Sequence, residues 1–284
     1  MRILDGVAEL ARRYRGFILD IWGVVHDGHA LFPGVADALA RLHGAGARIV
    51  FLTNAPRRSS VVEAQLTRLG VDRAHYVTAM SSGEITWRLL RDRTRPYVAA
   101  LGPRVHAIGI HGDLSVADLG FTVVTSPEEA DWVLNTGPDP ERGRLDLTRY
   151  QPELDACRAR DLPMICVNPD RRVVSGGRLL LCAGALSERY AEMGGRTLEV
   201  GKPDPATYPH ALEPLALPKD AVVAIGDSPH TDLAGAQAAG LDAIWALGGL
   251  AAEEGLGTAD SETLAARALA EGVAPLAALR ALRW

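Results

Sequence analysis

Along this chain, short apolar runs of strand length alternate with segments that have the apolar spacing of helices. The first clear apolar run is at 17–19, and similar runs occur at 48–52, 221–225 and 243–246. Strands that are covered by helices on both faces have such uninterrupted apolar runs, and strands that alternate with helices are typical of parallel sheets. The sequence therefore predicts an α/β fold with a Rossmann-like core whose sheet is mainly parallel.

Helices between these strands are predicted at 35–43, 59–69 and 232–239, and a glycine follows each of them. Glycine readily adopts the left-handed backbone conformation with which many helices end. The tail from 262 to 282 is rich in alanine and leucine, and it is also predicted to be helical.

The middle of the chain has its own alternation of strands and helices. Its strands are predicted at 105–110, 121–124, 132–135 and 164–167. We interpret residues 93–192 as a second α/β unit, a cap domain inserted into the first unit. The predicted core domain is then discontinuous and comprises residues 1–92 and 193–284.

Three predicted strands of the outer unit end on polar residues. Asp20 follows the first of them, Thr53-Asn54 the second and Asp227 the third. Because the carboxyl ends of parallel strands meet at the edge where open sheets bind ligands, these side chains are expected to converge. Each one alone is a weak signal, since an Asp or Thr after a strand is more often a turn former or a helix cap.

Two loops in the C-terminal half add a lysine and a pair of carboxylates. Lys202 and Lys219 are the only lysines of a chain that otherwise uses arginine. Asp227 and Asp232 lie on one loop, and Mg²⁺ commonly binds one or two carboxylates together with water and a substrate phosphate. The simpler interpretation of Asp232 is that it caps the following helix.

Charge and cysteine content argue against several classes of protein. The net charge is -5 and the arginine pairs are scattered, so neither a nucleic acid nor a membrane surface is an expected partner. Three cysteines without CxxC spacing suit a cytoplasmic protein better than a disulfide framework or a zinc site. The sequence also lacks the roughly 20 consecutive apolar residues of a membrane helix, a signal peptide and the GxxxxGK[ST] and HExxH motifs.

Four of these features resemble, in order, the motifs of the haloacid dehalogenase superfamily. They are Asp20-Ile21-Trp22-Gly23-Val24, Thr53-Asn54, Gly201-Lys202-Pro203 and the segment from Gly226-Asp227 to Asp232. The insertion resembles the large α/β cap of subfamily IIA, the p-nitrophenylphosphatase-like enzymes, and Asn168-Pro169-Asp170 resembles a loop of that cap. Each motif alone is weak, but four in order at compatible spacing cover nearly the whole chain.

The resemblance implies a phosphatase that depends on Mg²⁺. Asp20 would attack the phosphorus and form an aspartyl-phosphate, which divides the hydrolysis into two steps. The metal ion would be held by Asp20, by the backbone carbonyl of Trp22 and by Asp227, and it would neutralise phosphate charge.

Three further residues would complete the catalytic group. Thr53 and the backbone after it would donate hydrogen bonds to the phosphoryl oxygens. Lys202 would offset the negative charge that builds in the transition state. Asp232 would orient Lys202 or a metal-bound water.

Trp22 departs from the pattern, because the superfamily's phosphatases usually carry there a second Asp that protonates the leaving group. Indole cannot transfer a proton in this way, and a positioned acid or base contributes about 10² to 10⁴ in rate. The enzyme would then favour good leaving groups, such as aryl or acyl phosphates. Alternatively, His26 or Asp27 supplies the proton, although His26 is also interpreted as a solvated hairpin residue.

Two other functions stay open at this stage. Haloacid dehalogenases tolerate an aromatic residue at the position of Trp22, but they work without metal and under a helical cap. A protein that only binds a phosphorylated ligand is the second alternative, and the retention of Asp20, Lys202 and Asp227 argues against it.

The cap implies a small phosphorylated metabolite as the substrate, because a closed lid excludes water and large partners. Asn54 and Arg57 on the core, and Asn168 and Asp170 on the cap, are the candidate substrate contacts. Arg57 would pair with a second anionic group, or else be a solvated surface residue. A homodimer is left open as the assembly.

Overall fold

The computed structural model describes residues 1–109, 116, 118–175 and 177–284. Within them the strands are β1 Ile3–Leu4, β2 Gly16–Leu19, β3 Arg48–Thr53, β4 Thr78–Ser81, β5 Arg104–Ile108, β6 Thr122–Val124, β7 Trp132–Asn135, β8 Met164–Cys166, β9 Arg172–Ser175, β10 Arg178–Leu181, β11 Thr197–Glu199, β12 Val222–Gly226, β13 Asp242–Ala246 and β14 Ala277–Leu279. The α-helices are α1 Leu10–Arg13, α2 Val35–Gly44, α3 Ser59–Leu69, α4 Ser82–Asp92, α5 Pro96–Ala99, α6 Gln151–Ala159, α7 Ala183–Glu192, α8 Pro209–Leu215, α9 Ala234–Ala238, α10 Gly249–Glu253 and α11 Ser261–Ala270.

The larger sheet has, among the described residues, seven strands in the order β1-β14-β13-β12-β2-β3-β4. Every neighbouring pair in it is parallel. The chain runs from the central β2 through β3 and β4 on one side, and returns through β12 on the other. The order of the strands therefore reverses between β2 and β12, which is where open α/β sheets place their sites. The predicted parallel α/β core is confirmed.

Strand β2 has a hydrophobic environment on both faces. Phe17, Ile18 and Leu19 are all buried, and they alternate between two separate apolar clusters on opposite sides of the sheet. The uninterrupted apolar run of the sequence thus has a simple cause, since no face of this strand meets water. A strand fixed in this way holds the residue that follows it, Asp20, in a defined position.

A second sheet has, within the described part of the chain, five parallel strands in the order β11-β8-β7-β5-β6. Strands β9 and β10 form a separate antiparallel hairpin. Because β11 pairs with β8, the second sheet continues past the boundary predicted at residue 192. How the chain divides into domains stays a prediction, and the predicted end of the strand at residue 110 lies outside the described residues.

The two sheets share one hydrophobic core. A single buried cluster includes Val50 and Leu52 of the large sheet together with Trp132, Leu134 and Ile165 of the second sheet. Burial of apolar side chains contributes about 25 cal/mol per Å², so this shared cluster favours the packed arrangement of the two sheets. Among the described helices, none combines the length and apolar character needed to cross a bilayer.

The C-terminal tail corrects one prediction. The helix expected over 262–282 is wrong beyond Ala270, where α11 ends. Gly272 has a left-handed backbone with φ of +70° and Pro275 follows it, so a continuous helix is interrupted. The chain then forms β14, which pairs with β13 and β1 inside the large sheet. The Ala-Ala-Leu of β14 has a helical composition, and its pairing in the sheet overrides that local preference.

The turn after β2 is closely packed. His26 is 1% exposed, its ring meets that of Trp22 edge-on at 5.1 Å between centroids, and its Nδ1 accepts a hydrogen bond of 3.0 Å from the backbone N–H of Gly28. A Cβ at residue 28 would lie 2.5 Å from Trp22 Cη2, so only glycine fits there. The interpretation of His26 as a solvated hairpin residue is therefore wrong.

Protonation of His26 is expected to weaken the fold. Burial lowers the pKa of His26 to about 4, whereas the unfolded chain takes up the proton near pH 6.5. Stability should therefore fall by about 3 kcal/mol as the pH drops from about 6.5 to 4. Urea unfolding across this range should show this loss in the wild type and its absence in His26→Leu. Parallel pH curves for the two proteins would contradict the assignment.

Candidate active site

The three polar strand ends converge as expected. Asp20 follows β2, Asp227 follows β12, and Thr53 is the last residue of β3, and these three strands are neighbours in the sheet. All three side chains are buried and line one cavity of about 250 Å³. Arg57, Asn168, Asp170, Lys202 and Asp232 line the same cavity.

Lys202 joins two of the carboxylates. Its Nζ donates hydrogen bonds to Asp20 Oδ1 at 2.7 Å, to Asp232 Oδ1 at 2.6 Å and to the Leu52 carbonyl at 2.9 Å. Burial alone would lower the pKa of Lys202, but Asp20 and Asp232 outweigh it and hold the pKa well above its ordinary value. The ammonium group is therefore a permanent positive charge with all three of its protons engaged.

Both carboxylate oxygens of Asp232 accept hydrogen bonds from the protein itself. Its Oδ1 accepts from Lys202, and its Oδ2 accepts a hydrogen bond of 3.2 Å from the backbone N–H of Ser228. It lies in the π-helical turn Pro229–Leu233, whose first turn is capped by the Ser228 side chain. The simpler interpretation of Asp232 as the helix cap is therefore not supported, and the geometry favours a role in orienting Lys202.

Asp227 and Asp20 carry more negative charge than the site neutralises. Burial raises the pKa of Asp227 well above its ordinary value, and the nearby Asp20 and Asp232 add to this effect. Burial also raises the pKa of Asp20, although the charge of Lys202 acts in the opposite direction. Three buried carboxylates beside one ammonium group thus leave an excess of negative charge.

These carboxylates fit a hard divalent cation. Asp20, Asp227 and Asp232 each offer an oxygen, and these atoms lie within 4.8 Å of one another. Oxygen ligands of this kind are those that Mg²⁺ prefers, and a cation would relieve the excess charge. Asp227 Oδ2 accepts a hydrogen bond of 2.8 Å from the backbone N–H of Leu250, so the carboxylate is already oriented. Trp22, the third predicted metal residue, lines the cavity.

Asn54 is fixed by the protein on every side. Its Nδ2 donates to Asp170 Oδ1 and to the Lys202 carbonyl, each at 2.9 Å. Its Oδ1 accepts from the Lys202 backbone N–H at 2.8 Å and from Ser82 Oγ at 3.2 Å. An amide side chain has two donors and two lone pairs, so none is left for a substrate. The geometry supports a positioning role for Asn54 in place of the predicted substrate contact.

The loop 168–170 reaches the site from the side of the second sheet. Asn168 Oδ1 accepts from the Asp170 backbone N–H at 2.9 Å, which closes a tight turn. Burial raises the pKa of Asp170 to about 6, while the charge of Lys202 acts against that increase. Asp170 therefore links this loop to Asn54 and contributes a further carboxylate to the cavity wall.

Thr53 and Arg57 lie on the loop side of β3. Thr53 Oγ1 accepts a hydrogen bond of 3.2 Å from the Ala55 backbone N–H. Its hydroxyl proton can therefore be donated to another group. The guanidinium of Arg57 is half-buried in the cavity wall, and no carboxylate pairs with it in the described part of the chain. The alternative of a solvated surface arginine does not describe this position.

Several residues of the site have no signal in the sequence. They come from separate segments: the backbone N–H of Leu250, the hydroxyl of Tyr208 and the side chain of Arg144 in the cavity wall. The Tyr208 hydroxyl donates a hydrogen bond of 3.0 Å to the Asp232 carbonyl. No motif contains them, and their contribution depends on tertiary packing alone.

Comparisons with known proteins agree with this architecture. A family model described as haloacid dehalogenase-like hydrolase matches residues 17–121, and a second model for the same kind of hydrolase matches residues 199–272. Curated relatives include chronophin of Bos taurus, 27% identical over 87% of this chain and 85% of the relative, and the ribonucleotide monophosphatase NagD of Escherichia coli K12, 26% identical over 83% and 88%.

Solved structures show the same fold. The p-nitrophenyl phosphatase of Archaeoglobus fulgidus superposes with a TM-score of 0.71 at 22% identity, and the match covers 94% of this chain and 96% of that chain. A haloacid dehalogenase-like hydrolase of Brucella suis 1330 is 33% identical over 98% of this chain and 99% of that chain, with a TM-score of 0.83. With two family models and this relative in agreement, the chain belongs to the haloacid dehalogenase superfamily of hydrolases.

Proposed function

We propose that the protein is a Mg²⁺-dependent phosphatase that hydrolyses a small phosphorylated metabolite through an aspartyl-phosphate on Asp20. The observation that carries the proposal is the buried Lys202, whose Nζ bridges Asp20 and Asp232 beside Asp227. A charged lysine in contact with a carboxylate nucleophile neutralises the repulsion that an incoming phosphate dianion would otherwise meet. The names of two relatives support the proposal. NagD is a ribonucleotide monophosphatase, and the Archaeoglobus fulgidus protein is a p-nitrophenyl phosphatase.

In the first step, an Asp20 carboxylate oxygen forms a bond to phosphorus while the bond from phosphorus to the leaving oxygen breaks. In the second step, water attacks phosphorus, inorganic phosphate departs and the Asp20 carboxylate is restored. Lys202 holds Asp20 in place and balances charge in both steps, and the Thr53 hydroxyl donates to a phosphoryl oxygen. Bound to Asp20, Asp227 and the Trp22 carbonyl, Mg²⁺ would supply neutralisation of the phosphate charge.

Neither Trp22 nor its described neighbours His26 and Asp27 offers an acid to the leaving group. Trp22 occupies the expected position, and His26, with its pKa near 4, is neutral at physiological pH and does not line the cavity. Hydrogen bonds from the backbone N–H groups of Ala30 and His29 lower the pKa of Asp27, so it is an anion. We therefore favour substrates whose leaving groups depart without a strong acid.

The cavity supports a small substrate. Its volume of about 250 Å³ lies below the roughly 300 to 1,000 Å³ of ordinary ligand pockets. The hairpin of β9 and β10 contributes Arg172, Val173 and Val174 to its wall. A small phosphorylated metabolite therefore suits the site better than a phosphoprotein. A cytoplasmic location, a homodimer and the absence of nucleic-acid or membrane partners stay predictions.

Two alternatives have less support. The dehalogenase interpretation depends on a helical cap and a site without metal. This protein instead has a parallel second sheet and a cluster of three carboxylates. A protein that only binds its ligand would not need a buried lysine bonded to its nucleophile. Halide release and ligand binding without turnover are the assays that would favour these alternatives.

Removal of the nucleophile should abolish turnover. Asp20→Asn keeps the shape of the side chain and loses the attacking anion, so kcat for phosphate release should fall by about 10³-fold or more. The assay uses p-nitrophenyl phosphate and acetyl phosphate, with Mg²⁺ and with EDTA, and activity should require the metal. Phosphate release that survives in Asp20→Asn would exclude the covalent mechanism.

Replacement of Lys202 tests the charge bridge. Lys202→Met should lower kcat by about 10² to 10³-fold because a preorganised charge is lost. It should also lower the free energy of unfolding by about 3 kcal/mol, because two carboxylates lose their buried partner. Lys219→Met is the matched control, since Lys219 Nζ donates to the Ala239 carbonyl and Lys219 does not line the cavity. Circular dichroism at the assay temperature establishes that the variants are folded, and equal rates for the two would contradict the proposal.

A carboxyl group at position 22 should change the preference for leaving groups. Trp22→Asp should raise the ratio of kcat/KM for alkyl phosphates to that for aryl phosphates by about 10- to 100-fold, because an acid then protonates the poorer leaving group. Trp22→Asn removes the same ring without adding an acid, and its ratio should stay near that of the wild type. A wild-type enzyme that already turns over alkyl and aryl phosphates equally would show that another residue supplies the proton.

A further inference from the structure

Three arginines line the same cavity as the carboxylate cluster. They are Arg57 on the loop after β3, Arg144 between β7 and α6, and Arg172 at the start of β9. In the part of the chain that the structure describes, none of the three guanidinium groups forms an ion pair with a carboxylate. Lys202, by contrast, is fully engaged with Asp20 and Asp232. The arginines therefore carry the positive charge of the cavity that is left for a ligand.

Arg57 contrasts with its own neighbour. Arg58 Nε donates to Glu84 Oε2 at 2.7 Å, and its guanidinium stacks on Trp87 at 4.0 Å from the ring centroid. Arg57 is half-buried as well but has no such acidic partner among the described residues. Burial, together with the charge of Arg68, holds the pKa of Arg57 below its ordinary value. Arginine stays charged under these conditions, so its desolvation is a cost that a ligand anion would offset.

Arg144 has an unsatisfied donor. Its Nη2 donates to the Leu181 carbonyl at 3.3 Å, but its Nε is buried and has no hydrogen-bond partner among the described residues. A buried donor without an acceptor costs about 1 to 3 kcal/mol. Its side chain also lies beside the thiol of Cys182 in the cavity wall. Arg144 and Arg57 thus both lie in the cavity wall without a carboxylate partner among the described residues.

We propose that Arg57, Arg144 and Arg172 form a second anion subsite, so that the preferred substrate carries a carboxylate or a second phosphate besides the phosphate that is cleaved. This inference rests on the proposed phosphatase function and names the substrate class for it. Guanidinium groups bind both anions in a bidentate manner. The cavity wall also includes the apolar residues Pro138, Pro140 and Val174, and its volume of about 250 Å³ suits a short carbon chain.

The test compares substrates that differ only at the end remote from the reacting phosphate. One pair is 3-phosphoglycerate and glycerol 3-phosphate, and the other is propane-1,3-diol bisphosphate and its monophosphate. The wild type should prefer the member with the second anion by about 10- to 100-fold in kcat/KM. The pair with the larger preference identifies the anion as carboxylate or phosphate. Arg57→Gln and Arg144→Gln should each reduce this preference mainly through KM.

Arg178→Gln is the matched control, because Arg178 lies on the same hairpin as Arg172 but outside the cavity wall. It should keep the wild-type preference. Equal kcat/KM for both members of each pair would overturn the subsite while the phosphatase function stands. An equal loss for both members in Arg57→Gln and Arg144→Gln would also overturn it, because the arginines would then serve the reacting phosphate.

If no phosphate is released from any compound, the proposed function fails and calorimetry decides the subsite separately. In that case 3-phosphoglycerate should still bind more tightly than glycerol 3-phosphate, and Arg144→Gln should remove the difference. Equal binding of the two compounds would end the subsite inference as well.

Discussion

The ion pairs of Lys202 with Asp20 and Asp232 are the interaction on which the rest of the site depends. The lysine comes from the loop after β11, Asp20 from the end of β2 and Asp232 from the turn after β12. Charges of this kind are costly to bury unless they are paired, so the three segments must meet at once. Their meeting requires that β2 and β12 be neighbours, as they are. The formation of these ion pairs therefore requires the strand order that the sheet has.

Asn54 extends this constraint to the second sheet. Its amide binds both the backbone of Lys202 and the carboxylate of Asp170, which lies on the loop 168–170. The loop 168–170 follows β8 of the second sheet. A displacement of this sheet would therefore disturb the hydrogen bonds that connect Asp170, Asn54 and Lys202. The shared hydrophobic cluster opposes such a displacement. The position of Lys202 thus depends on the packing of the second sheet as well as of the larger one.

The sequence predicted the parts of the structure that local pattern controls. The buried strands, their polar ends and the helices that end at glycine depend on the chemistry of a few adjacent residues, as with the strand at 17–19 and Asp20. Strand β14 was missed because its residues have a helical composition and only the vacancy between β13 and β1 makes them extended. Arg144 was missed for the same reason, since its place in the cavity wall arises from packing. His26 was misjudged because burial of the turn is a tertiary property.

The turn after β2 explains how the site accommodates an indole where an acid is expected. The Trp22 ring packs on Gly28 so closely that a Cβ there would clash, and it meets the buried His26 edge-on. On the other side, Gly23 and Gly249 lie so near Asp227 that a Cβ on either would come within 2.1 Å of its Oδ2. Both glycines therefore leave room for the oriented carboxylate beside the Leu250 N–H. These contacts orient the Asp227 carboxylate without involving the side chain at position 22. In the proposed mechanism, the indole therefore affects proton transfer to the leaving group, whereas charge neutralisation by Lys202 and the carboxylates is kept.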